Sequence, residues 1–169
     1  MAARRDLSWL PPAVYLGGMI PGALLVLRAL RDELGPNPIS ETLDGTGELA
    51  VKLLILSLAC TPARILFGVA WPLRVRKALG LLAFGYGMLH LSIYLFVDQR
   101  GSGTNIVEDV VKRPFIAIGM ATLALLVPLA ATSTKKMRAR LGAVRWQRLH
   151  KLAYVAATLF RPMDVAAKR

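Results

Sequence analysis

No carboxylate interrupts the long apolar blocks of this chain. Its ten Asp and Glu residues fall before the first block, in the loops between blocks and in the tail, so a buried proton relay of acids has no members. Charge of either sign is scarce, 19% of residues against 55% hydrophobic, which is not the balance of a water-soluble domain. There is one cysteine, Cys60. It excludes an intrachain disulfide and, alone, a zinc or iron–sulfur site. Set within an apolar block, it reads as a small hydrophobe. The chain has no G-x-G-x-x-G after a strand, no Walker lysine, no G-x-S-x-G and no H-E-x-x-H, so the chemistries that depend on those motifs lack their parts.

What the chain does have is apolar runs long enough to cross a bilayer. The reading is an all-α, polytopic transmembrane helix bundle forming one domain over residues 1–169. Four full spans are expected at about 10–27, 49–69, 78–97 and 114–131, with a partial fifth at 149–160. Pro21-Gly22 should kink the first span rather than end it. Residues 28–48 are acidic and rich in turn formers, hence a loop. A tight basic turn around W-P-L-R-V-R-K leads to the third span, and Asp98 to Arg113 is a second loop. Pro114 suits the first position of the fourth helix, where a missing N–H costs nothing. The cluster from Thr132 to Arg148 is a surface loop. The fifth run meets R-P-M-D at 161–164. Its twelve residues would cover about 18 Å, short of a span.

The net charge of +12 does not point to nucleic acid, because the basic residues sit in short loops, where they set topology or meet anionic membrane lipid. Eleven Lys and Arg residues flank the spans on the side of the N-terminus, against five opposite. The first side is therefore expected to be cytoplasmic. Trp9, Trp71 and Trp146 flank spans on that same side, as interfacial anchors would.

The chain has two histidines. His90 lies in the uncharged run Ala78 to Val97, and helical spacing puts Ala83, Gly87, His90 and Tyr94 on one stripe against which a flat ligand could lie. An imidazole at that depth marks either a functional site or a hydrogen bond across helices, and this helix alone does not decide between them. His150 opens the fifth run, close to the cytoplasmic boundary, while His90 is expected about 18 Å down. The two should not share one iron. The residue of the fifth helix that reaches the depth of His90 is Pro162 or Met163. Two membrane histidines with glycine and aromatic neighbours, and no carboxylate chemistry, favour haem over pumping.

Four stretches in order, L-A-C-T-P-A-R (58–64), R-K-A-L-G-L-L-A-F-G-Y-G-M-L-H-L-S-I-Y (76–94), V-K-R-P-F-I-A-I-G (111–119) and L-A-A-T-S-T-K-K-M-R-A-R-L-G-A-V-R-W-Q-R-L-H-K-L-A-Y (129–154), resemble the MsrQ family, also called YedZ. This family belongs to the ferric-reductase-like transmembrane superfamily. The resemblance runs to about Leu159 and implies a six-helix subunit of the bacterial inner membrane carrying haem b. Such a subunit takes electrons from the quinone pool or a flavin reductase and passes them to MsrP, a periplasmic molybdopterin reductase that repairs methionine sulfoxide in oxidised proteins. FMN is implied by the resemblance only. The chain would be an electron-transfer subunit and not the catalytic one. His90 matches the family's third-helix haem ligand and His150 its first fifth-helix histidine. A further histidine belongs where this chain has Met163, and the sixth helix is absent, so the chain resembles a C-terminally truncated member that binds haem weakly or not at all. The alternative is a truncated, non-redox membrane protein with a structural or assembly role. A transporter is a weaker reading, since only His90 offers a polar group at the midplane.

Overall fold

The computed structural model describes residues 7–156 and Thr158. Among these residues there are helices and no strand. Four helical stretches are long and apolar enough to cross a membrane: Leu10–Leu30, Pro38–Phe67, Pro72–Asp98 and Pro114–Ala131. Their large apolar side chains point mostly outward, with Leu16 70%, Ile65 77% and Phe67 75% exposed. So much exposed hydrocarbon suits lipid and not water.

Helix α1 (Leu10–Leu30) opens on Pro11 and Pro12 and continues through Pro21. A regular helix would bond the Gly22 N–H to the Gly18 carbonyl. Here the hydroxyl of Tyr86 stands between them, donating to the Gly18 carbonyl at 2.7 Å and accepting from the Gly22 N–H at 2.9 Å. Backbone groups opened beside a proline are thereby satisfied from a neighbouring helix, as the bilayer requires.

Helix α2 (Pro38–Phe67) begins eleven residues before the expected 49, and α1 ends three residues after 27. The expected loop at 28–48 shrinks to 31–37. Its turn formers are a helix start: Asn37 accepts from the Ser40 N–H, Pro38 takes the first position, and Glu41 sits in the first turn, where a negative charge meets the helix dipole. The acids are consequently not confined to loops, since Glu41, Asp44 and Glu48 lie on α2. Gly68, at φ 67°, closes the helix in the left-handed conformation.

Helix α3 (Pro72–Ile93) likewise starts earlier than the expected 78, because Pro72 occupies its first turn, and the basic turn read there is helical. It runs into a π-helical turn, Tyr94–Asp98. The second expected loop, 98–113, holds helix α4 (Gly103–Lys112), started by the Ser102 hydroxyl accepting from the Asn105 N–H and supported by Glu108–Lys112 and Asp109–Arg113 pairs one turn apart. Helix α5 (Pro114–Ala131) matches its expected bounds. Short helices α6 (Lys135–Leu141) and α7 (Ala143–His150) follow, and residues 152–156 are again helical. The end of the expected fifth run, with Met163, lies outside the described residues.

Helix α3 is the hub: α2 packs along it most extensively, and α1 and α5 pack against it as well. Buried residues are few and small along this seam, among them Ala78 and Ala83 of α3, Ser57 and Cys60 of α2, and Thr122 of α5. Cys60 behaves as the small hydrophobe expected, its thiol turned to the Leu56 carbonyl at 3.3 Å.

Candidate functional site: a cavity walled by the His90 helix

A cavity of about 1160 Å³ opens between α2, α3 and α5, and the α3 stripe of Ala83, Gly87, His90 and Tyr94 lines it together with Gly47, Gly119 and Leu123. Small residues keep this wall thin. The volume is of the order that cofactor sites occupy. His90 is the only histidine in the lining. Among the described residues no three His, Cys, Asp or Glu side chains converge as a metal cluster, so a metal held here would need to bring its own equatorial ligands.

His90 is tied to α2 through one edge of its ring. Its Nδ1 lies 3.0 Å from the Leu43 carbonyl oxygen and 3.4 Å from Thr46 Oγ1. A carbonyl only accepts, so Nδ1 carries a proton and donates it, and in the neutral tautomer with that proton Nε2 has the lone pair. That is the state in which an imidazole binds iron, with the orienting hydrogen bond already formed on the far nitrogen. A thin-walled cavity of cofactor size and an imidazole whose Nδ1 is held by a backbone carbonyl fit a haem. Because α3 starts at Pro72, His90 stands about 27 Å along it from the tryptophan end.

At the opposite, acidic end the cavity is bordered by the π-turn and by Arg113, which follows α4. Tyr94 donates its hydroxyl to Asp109 Oδ2 at 3.0 Å, and Arg113 donates to Asp109 Oδ1. Tyr94 and Arg113 both line the cavity. The sequence pointed to Tyr94 through its helical spacing. It gave no sign of Asp109 and Arg113, which were read as loop, nor of Leu43, Thr46 and Gly47, for the same reason.

His150 does not line this cavity. It sits at the tryptophan end, where Nε2 is 3.2 Å from Thr132 Oγ1 and the ring stacks on Trp146 at 4.0 Å between centroids. The Trp146 indole donates to the Thr132 carbonyl at 3.0 Å, and the Arg138 guanidinium lies 5.2 Å over its ring. Arg76 of α3 acts on His150 electrostatically. The two histidines are thus not brought together.

Residues 46–160 match the family described as ferric reductase like transmembrane component. Three similar proteins carry the name protein-methionine-sulfoxide reductase heme-binding subunit MsrQ. The one from Deinococcus radiodurans is 51% identical over 152 residues, covering 90% of this chain and 75% of that protein. The one from Ralstonia nicotianae is 44% identical over 160 residues, covering 90% and 74%. The one from Rhodospirillum rubrum is 46% identical over 147 residues, covering 87% and 71%. No solved structure matches the chain.

Proposed function

Since this chain belongs to the MsrQ family of ferric reductase-like transmembrane proteins, we propose that it is a membrane electron carrier in which His90 ligates a b-type haem within the α2, α3 and α5 cavity. The observation that carries this reading is the Nδ1–H of His90 committed to the Leu43 carbonyl at 3.0 Å, beside a cavity of about 1160 Å³. Haem supplies a one-electron couple. The chain's own residues would hold the ligand ring and wall the group with glycine and alanine.

The reading extends to direction and partners. Residues 1–169 form one domain, with the N-terminus, the 68–71 connection and the α6–α7 segment cytoplasmic, supported by the eleven-to-five excess of basic residues on that side. Electrons enter from the quinone pool or a flavin reductase and leave on the periplasmic side, where the π-turn and Arg113 border the cavity, towards a molybdopterin methionine sulfoxide reductase of the MsrP kind. FMN rests on kinship, and no residue of this chain is assigned to it. His150 is proposed as a separate, inner ligand that would exchange its Thr132 hydrogen bond for a metal. The family's further histidine falls where this chain has Met163, so the cavity group would be held weakly.

A dithionite-reduced minus oxidised spectrum of membranes containing the chain tests the proposal. A weak reducible b-type signal that diminishes in His90→Ala is expected. Absence of any Soret band in the parent chain would favour the non-redox, structural role instead.

A further inference from the structure

We propose that Thr46 and Gly47 of α2 are positioning residues that fix the tautomer and orientation of His90 before any ligand arrives; the consequence for iron rests on the haem reading above, but the positioning does not. In an α-helix the Leu43 carbonyl is the acceptor for the N–H of residue 47. His90 uses the same oxygen, which has a second lone pair. The ring reaches it because residue 47 has no side chain. A Cβ at Gly47 would lie 3.2 Å from both Nδ1 and Cε1 of His90, so the ring would have to give way by a few tenths of an ångström.

Thr46 completes the pocket for the N–H. It is 1% exposed, and its hydroxyl reaches the Thr42 carbonyl at 2.7 Å and the Leu43 carbonyl at 3.1 Å. With that proton committed to the backbone, Oγ1 presents a lone pair towards Nδ1 at 3.4 Å. The N–H of His90 therefore meets two acceptors on α2. The other tautomer would set the Nδ1 lone pair against the Leu43 oxygen at 3.0 Å, a repulsion without compensation in an apolar bundle. Donation to a carbonyl also makes Nε2 the more basic nitrogen, which strengthens its bond to a ferric centre more than to a ferrous one.

A glycine serving only close packing of α2 on α3 would affect stability and nothing else. The test reads quantities that packing does not move. Full-length protein carrying His150→Gln, labelled with ¹⁵N-histidine and free of haem, should show His90 protonated at Nδ1. Gly47→Ala and the near-isosteric Thr46→Val should shift it towards the Nε2-protonated form, Thr46→Ser should restore it, and Gly85→Ala, where an added Cβ meets nothing within 4 Å, should leave it alone. After haem loading, Gly47→Ala and Thr46→Val should lower haem retention on the order of 10-fold and raise the midpoint potential. An Nε2-protonated His90 in the parent, or substitutions that move neither tautomer nor potential, would overturn the proposal. A parent that is Nδ1-protonated yet takes up no haem leaves the positioning standing and removes the haem reading.

Discussion

His90 and His150 are both imidazoles with a hydrogen-bonding partner on a neighbouring helix, yet their surroundings prepare them for different work. His90 spends Nδ1 on a backbone carbonyl and faces a cavity of small residues. His150 engages Nε2 with a threonine hydroxyl and is packed under Trp146 among basic side chains. A carbonyl can only accept, so it dictates a tautomer. A hydroxyl can donate or accept, so it does so only where, as at Thr46, its own proton is committed to backbone carbonyls. The lesson is that an intramembrane histidine is identified as a ligand by what holds its far nitrogen and by the space beside it, and not by its depth alone.

That comparison predicts which substitutions matter. The largest effect is all-or-none and concerns sidedness. In a Cys60→Ala background, Ser102→Cys should react with an impermeant thiol reagent from the periplasm and Ser133→Cys should not. The reverse pattern would put the His90 cavity nearer the cytoplasm and invert the proposed electron path.

Next comes the bundle that carries His90. Tyr86→Phe leaves the Gly22 N–H and the Gly18 carbonyl unpaired inside the bilayer and should destabilise the protein by about 1–3 kcal/mol, read as a lower unfolding midpoint in detergent. An unchanged midpoint would mean that α1 closes its own ladder across Pro21. At the His150 end the expected effect is smallest. Arg138→Gln removes a surface cation from the Trp146 ring, worth about 0.5–1 kcal/mol, and should leave haem content unaltered.

Much of this architecture is legible in the residues. Four apolar runs became four span-length helices, Pro114 opens α5 as its missing N–H allows, and the Ala83, Gly87, His90 and Tyr94 stripe lines one cavity because the helical period is rigid. What escaped reading is the helix beyond the apolar blocks. Asn37 to Glu48 and Ser102 to Lys112 are polar, and a hydropathy boundary hides the N-caps that start helices there. The cost is specific: Leu43, Thr46 and Gly47, which hold His90, lie in the first turns of α2, outside any apolar run. Tyr86 bridging the Pro21 break could not be found either, since a contact across 64 residues leaves no local signal.

The central claim is that His90, and not His150, holds the group in the cavity. The direct measurement is haem per protein, by pyridine haemochrome, for the parent, His90→Gly and His150→Gly, each purified with and without imidazole. The account predicts that His90→Gly loses the cavity haem and recovers it with imidazole, while His150→Gly retains it. Full haem in His90→Gly without imidazole would contradict it.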